Sequence, residues 1–263
     1  MCFFKLPKKE YILYMEVHML KSIEELNEKF ERIKNLGLIK ERRHGFGAIG
    51  YTFECMLNKE EENFPVPDYN EIEIKTMNKN AKTKLHLFNL TPDGDYLFPI
   101  KRILEKIGCP KGDSKVFYRE FNAISDTKMI YGMRGKLFVN RKEGKVELLV
   151  FDHHDKNIDI GVSWSFDWLE ERLDLKLKYL ALVRASSYII SGEGYYHYNK
   201  INYYQLKDFE TFLTLLEKGI ITINFKISVY KSGRREGQIH DRGTDFSIDV
   251  NDLNLLYNEI KID

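Results

Sequence analysis

Ten residues limit what this chain can fold into more than any others. Pro67-Asp-Tyr-Asn-Glu-Ile-Glu-Ile-Lys-Thr76 is an acidic turn that runs straight into a short strand. Successive strand side chains point to opposite faces. Glu71, Glu73 and Lys75 are therefore expected on one face, with Ile72 and Ile74 on the other, where they can anchor the strand in a core. Asp68 stands just before the strand and can swing back beside Glu73. Two neighbouring carboxylates repel unless a cation sits between them, and an all-oxygen ligand set favours Mg²⁺ over zinc or copper. Lys75 adds a point charge suited to holding a phosphate oxygen and steering a water. The pattern reads as a hydrolytic metal site for a phosphodiester.

Glu-x-Lys alone is a weak signal in a chain with 31% charged residues, and it recurs at Glu143–Lys145 and Glu259–Lys261. The first recurrence contains Gly144 and reads as a hairpin turn. The second falls where Leu253, Leu256, Tyr257 and Ile260 have helical spacing. Neither has an Asp at a turn ahead of a buried strand.

Upstream, Gly50-Tyr-Thr-Phe-Glu54 opens a helix with Phe53, Met56 and Leu57 on one face. Asn63 and Pro67-Asp68 follow, then Glu73-Ile74-Lys75-Thr76. The ordered set Glu54, Asp68, Glu73, Lys75 resembles the active site of the PD-(D/E)xK nucleases, in the branch that holds MutH and the MvaI/BcnI restriction endonucleases. Lys82–Phe88 is similar to the next strand of that family. His240-Asp-Arg-Gly-Thr-Asp-Phe246 is similar to a second MvaI/BcnI run, and it follows a strand pattern from Ile220 to Tyr230 and the loop Lys231–Gly237. The likeness extends from about Ser22 to the end of the chain.

That resemblance implies an α/β fold, a restriction-endonuclease-like mixed β-sheet flanked by helices, in a single nuclease domain over 1–263. A catalytic lobe over 22–115 and a β-rich, C-terminal DNA-recognition lobe over 116–263 would take DNA in the cleft between them. The implied activity is that of a cytoplasmic type II restriction endonuclease, a monomer that uses one or two Mg²⁺ ions and is accompanied by a cognate DNA methyltransferase. Asp68, Glu73 and the backbone carbonyl of Ile74 would hold the metal. Glu54 would hold a second ion or orient a water, and Lys75 would position or help deprotonate the attacking water. Lys226, Arg234, Arg235, His240, Asp241, Arg242 and Thr244 would contact double-stranded DNA. Two other readings are a MutH-like strand-nicking repair enzyme and a catalytically vestigial DNA-binding protein. The His240–Phe246 run argues against the first, and the presence of all four active-site residue types argues against the second. The chain also departs from the family pattern. Arg242 stands where His is common, Ser247 replaces a closing Arg, and Asn224 and Lys226 stand where CCNGG-reading members place Asp and Arg. A bidentate Arg–guanine contact is not reproduced by Ser, nor fully by Lys.

The remaining features set limits. A net charge of +1 gives no global basic field, so any nucleic acid must be held by local rims such as Lys40/Arg42/Arg43, Lys79/Lys82/Lys84 and Lys231/Arg234/Arg235/Arg242. Cys2, Cys55 and Cys109 have no pairing or zinc spacing, which suits a reducing cytoplasm. No apolar run is long enough to span a membrane. Gly45–Gly50 fits G-x-G-x-x-G, but no hydrophobic strand feeds it, so it reads as a basic, glycine-rich loop ahead of the Glu54 helix. The tyrosines at 195, 196, 198, 203 and 204 are expected to pack in strands, and His153 and His154 to face opposite ways. Ser22-x-x-Glu25 reads as a capping box opening the first organised helix, with residues 1–14 a peripheral extension.

Overall fold

The computed structural model describes residues 8–57, 67–95 and 98–262, with side chains from Val17 onward. Cys2, Lys5 and Asn63 lie outside the described residues. The chain passes between two compact units. The first takes the described residues up to Lys82, then Leu175–Leu206 and those from Asn258 on, and the second takes Thr83–Asp174 and Lys207–Tyr257. Of the segment 22–115, residues 22–82 therefore belong to the first unit and 83–115 to the second.

The first unit is built on a sheet in the order Ile39–Lys40, Glu193–Leu206, Tyr179–Ile190, Ile72–Asn78, with Tyr257–Ile260 also on Glu193–Leu206. Ile72–Asn78 is an edge strand that pairs in parallel with the 179–190 strand, Tyr179 against Ile72 through Ala185 against Asn78. One core lies against this sheet: Met19, Ile23, Leu26, Phe30 and Ile33 from the long helix Lys8–Asn35, Phe53 from the helix Ala48–Met56, and Ile72, Ile74, Ala181, Val183 and Tyr198 from the strands. Each of the Met, Leu, Ile, Val and Phe side chains among these contributes about 1.5–3 kcal/mol by leaving water. Tyr196, Tyr198, Tyr203 and Tyr204 are buried, as strand packing requires.

Three local expectations change. The first helix begins at Lys8, and Ser22 lies inside it, buried, with its hydroxyl donating to the His18 carbonyl at 3.1 Å. A serine bonded back one turn is a helix-interior arrangement; the apolar stripe from Met19 carries the helix through the apparent capping box. Lys8 and Lys9 accordingly open this helix. At the other end only Leu253–Leu256 is helical, and Tyr257–Ile260 extends as a strand because Glu193–Leu206 offers it an edge. His153 and His154 sit in a turn rather than on a strand, their ring centroids 3.8 Å apart.

The second unit holds a six-stranded sheet in the order Leu85–Asn89, Asp245–Ile248, Ile221–Val229, Ser114–Phe121, Cys109–Lys111, with Ile239–Asp241 also on the 221–229 strand. A four-stranded sheet runs Thr127–Lys128, Arg134–Asn140, Lys145–Phe151, Ser163–Ser165. In the 221–229 strand Ile221, Ile223, Phe225 and Ile227 all face the core. Thr222, Asn224, Lys226 and Ser228 therefore make up the other face. The helix Phe209–Glu217 is capped by Asp208, whose carboxylate accepts from the Thr211 N–H at 2.6 Å. Asp208→Ala is expected to lower stability by about 1 kcal/mol in urea titration, the usual worth of an N-cap. An unchanged midpoint would mean that the cap contributes nothing here.

Candidate active site

A two-residue turn sets the geometry. Asn70 and Glu71 both have positive φ (40° and 68°), the requirement of the tight I′ hairpin turn. Tyr69 and Ile72 close the turn by exchanging backbone hydrogen bonds of 2.9 and 2.7 Å. That register puts Asp68 across from Glu73. Glu71, expected on the strand face, is instead an exposed turn residue.

Ile72 spends both its backbone groups on the open edge of the sheet, and two residues along Ile74 has the same orientation. Its N–H donates to Asp68 Oδ2 at 3.0 Å, so its carbonyl also faces that edge, beside Asp68. Ile74 thus does two things: its side chain fills the core and its backbone lines the site.

Glu73 is the unusual residue. It is only 2% exposed. Burial pushes its carboxyl above the ordinary range, the Lys75 ammonium opposes this, and the nearby Asp68 charge pushes it up again. Its Oε1 takes Lys75 Nζ at 2.6 Å and Lys176 Nζ at 3.5 Å. Its Oε2 is buried and has no hydrogen-bond partner among the described residues. An orphaned buried carboxylate oxygen, next to a second carboxylate and an edge-facing carbonyl, fits a hard divalent cation.

Glu54 is placed differently. It sits on the helix Ala48–Met56, which begins two residues earlier than Gly50 and follows Gly47, itself left-handed. Its Oε1 lies toward Gly50 and Thr76, since a methyl group on Gly50 would be 3.8 Å from that oxygen and 3.9 Å from Thr76 Oγ1. Tyr198 holds this helix to the sheet by donating to the Ile49 carbonyl at 2.9 Å. Among the described residues no three His, Cys, Asp or Glu side chains form a metal-binding group. Asp68, Glu73 and Lys75 therefore come together, while Glu54 is not gathered into a common ligand set with the two other carboxylates.

The second unit carries the other proposed residues. Ile239–Asp241 pairs with the 221–229 strand, His240 opposite Ser228. His240 stacks on Tyr230, centroids 4.1 Å apart and ring planes nearly parallel. Arg242 is exposed, its N–H donating to the Lys226 carbonyl at 2.9 Å and its Nε to Ser228 Oγ at 3.5 Å. Lys226 is ion-paired with the buried Asp245, which also accepts from Asn224 Nδ2 at 3.0 Å and from Ser247 Oγ at 2.6 Å. Asp241 accepts from the Gly243 N–H at 2.9 Å, and burial pushes its carboxyl up. Arg234 and Arg235 are exposed in the 231–237 loop, Arg235 lying over the Tyr230 ring at 5.8 Å. Thr244 is buried and so has a place in the core rather than on an open surface.

Two residues in these clusters are not singled out by the sequence: Lys176 on Glu73, which lies outside every motif, and Asp245, inside the His240–Phe246 run, beneath Lys226. Of the other rim clusters, Lys40 pairs with Glu193 at 2.8 Å and Lys84 with Glu120 at 2.6 Å. Cys55 and Cys109 are free thiols, partly exposed. No helix among the described residues is long and apolar enough to cross a membrane.

A family model described as the MvaI/BcnI restriction endonuclease family matches residues 27–257. The fold is similar to that of restriction endonuclease MvaI in complex with its cognate DNA substrate, at a TM-score of 0.82 and 32% identity over 90% of this chain and 96% of that one. It is also similar to MvaI in the absence of DNA, at a TM-score of 0.60 and 32% identity over 91% and 96% of the two chains. No curated protein sequence matches the chain.

Proposed function

Since this chain belongs to the MvaI/BcnI restriction endonuclease family, we propose that it cuts duplex DNA at a short specific sequence by Mg²⁺-dependent hydrolysis, using Asp68, Glu73, Lys75 and the Ile74 carbonyl. The observation that carries this reading is the buried Glu73, one oxygen held by lysines and the other left without a partner beside Asp68. A bound divalent ion would lower the pKa of a water and offset charge that develops on the phosphate. Asp68, already fixed by the Ile74 N–H, and Glu73 Oε2 would be its anionic ligands. Lys75, 17% exposed, can turn from Glu73 toward a phosphate oxygen and the attacking water. Water then adds at phosphorus, one P–O ester bond breaks, and the strand ends as a phosphate and a hydroxyl. Glu54 is assigned the second-ion or water-orienting role on the strength of the family pattern alone.

The test is incubation of the purified protein with Mg²⁺ and plasmid DNA, with sequencing of the ends. Discrete fragments with one common end sequence are expected. EDTA should stop cutting and excess Mg²⁺ restore it. Cleavage in EDTA would sink the metal assignment, and single-strand nicks alone would favour the MutH-like reading.

For recognition, Lys226 and Arg242 belong together on the polar side of the 221–229 strand and are proposed as base readers. Arg234 and Arg235, in the exposed loop, are proposed as phosphate contacts. Replacing Arg242 or Lys226 with Ala should cost about 1–3 kcal/mol of discrimination at one base position. Replacing Arg234 and Arg235 should weaken all sequences alike and flatten the salt dependence. Binding titrations across single-base variants separate the two, and unchanged affinity and pattern in every variant would remove the hairpin as reader. A methyltransferase partner, a monomeric enzyme and a cytoplasmic setting belong to the same proposal, supported by the family and by the unpaired cysteines.

A further inference from the structure

We propose that Lys176 is a positioning residue for the cleavage reaction: it keeps hold of Glu73 Oε1 so that Lys75 can leave that oxygen for the DNA phosphate. The inference rests on the nuclease reading above. Two ammonium groups share one carboxylate oxygen, Lys75 at 2.6 Å and Lys176 at 3.5 Å. Glu73 is 2% exposed, so bulk solvent does little to offset its charge. A buried carboxylate whose sole cation departs is left uncompensated, a strongly unfavourable state. If Lys75 alone faced Glu73 Oε1, its move to a phosphate would strip that oxygen of its cation and leave only the ion proposed on Oε2 to offset the buried charge. A second lysine on the same oxygen removes the conflict.

The chain holds Lys176 where this role requires it. It is the last residue of the helix Phe166–Lys176, where the C-terminal carbonyls favour a cation. Leu177 follows, fully buried. Tyr179 then opens the strand that pairs with Ile72, and Leu180 pairs with Glu73 itself. The backbone carrying Lys176 is thus in fixed register with the backbone carrying Glu73 and Lys75. At 22% side-chain exposure its ammonium keeps some contact with solvent. The 3.5 Å separation is longer than a close ion pair and leaves room to tighten when Lys75 departs.

Two experiments on the full chain test this. In single-turnover cleavage with enzyme and Mg²⁺ saturating, Lys176→Met should slow cutting about 10–100-fold while DNA affinity in metal-free buffer stays within about threefold, and Lys176→Arg should recover most of the rate. Lys176→Gln serves if the Met variant does not fold. In the absence of DNA and metal, Lys176→Met should lower the melting temperature by about 2–6 °C in the parent but hardly at all in a Glu73→Gln background, where no buried charge needs a partner. An unchanged rate, a loss confined to affinity with a shallower salt slope, no rescue by Arg, or equal melting shifts in both backgrounds would each overturn the proposal. A parent protein that cuts no DNA would instead overturn the nuclease reading beneath it, and the melting cycle would still decide whether Lys176 grips Glu73.

Discussion

Lys75→Ala protein is expected to bind its DNA as the parent does and to cut it about 10²–10⁴-fold more slowly, the range seen when a positioned proton-transfer or charge-stabilising group is removed. The reason lies in what Lys75 touches. Its ammonium is 2.6 Å from a buried carboxylate and still partly open to solvent, so it can act on whatever lies at the sheet edge while Lys176 keeps a cation on Glu73. Asp68→Asn is expected to be as slow for another reason. The neutral amide can still accept from the Ile74 N–H, so the turn survives, but one anionic ligand of the cation is gone. Raising Mg²⁺ should therefore recover part of the Asp68→Asn rate and none of the Lys75→Ala rate. Gel-based single-turnover assays at two Mg²⁺ concentrations give the comparison. Full activity in either variant would remove that residue from the reaction.

The second large effect is on stability. Trp164 is completely buried, among Phe225 at 6.0 Å and Phe246 at 5.6 Å between ring centroids. Trp164→Ala is expected to destabilise the second unit by about 3–5 kcal/mol through lost transfer energy and the cavity left behind. More than packing is involved. The indole N–H donates to the Leu90 carbonyl at 3.0 Å, and the Leu90 N–H in turn donates to the Thr244 carbonyl at 2.9 Å. The indole thus braces the chain two residues past Arg242. Trp164→Phe, which retains most of the apolar volume but not the donor, should cost about 1–3 kcal/mol, the penalty of leaving a buried carbonyl unpaired. Denaturant unfolding of the three proteins measures both numbers. A Trp164→Ala loss below that of Trp164→Phe would show that the site collapses rather than leaving a cavity.

The turn and strand from Asp68 to Lys75 could be read from sequence because their signals are local. Alternation places Ile72 and Ile74 in the core, and Asp68 lies one tight turn from Glu73, so a few residues contain both scaffold and chemistry. Glu71 was misplaced for an equally local reason. Alternation extended one residue too far, into a turn where positive φ takes the side chain off the strand face. Ser22 shows a different failure. Ser-x-x-Glu marks a helix start only if the apolar stripe begins there, and here Met19 precedes it on the same face. Lys176 and Asp245 were not found because nothing near them in sequence reports their partners. Lys176 reaches Glu73 only through the parallel register of the 179–190 strand, and Asp245 reaches Lys226 because its strand pairs with the 221–229 strand. Such pairings are products of topology, and a charge in a 31% charged chain does not announce them.

The parallel pairing of Ile72–Asn78 with Tyr179–Ile190 also has a consequence for how the protein is born. A ribosome delivers Asp68, Glu73 and Lys75 early, but the strand that pairs with them is made only after the segment Thr83–Asp174 has emerged, and Glu193–Leu206 comes later still. Translation adds residues at about 5–20 per second and domains form as their parts become available. Until residues 176–185 are out, the 72–78 strand lacks its parallel partner and Glu73 lacks Lys176. If Asp68, Glu73 and Lys75 cut DNA as proposed, their site is completed only when most of the chain is already present.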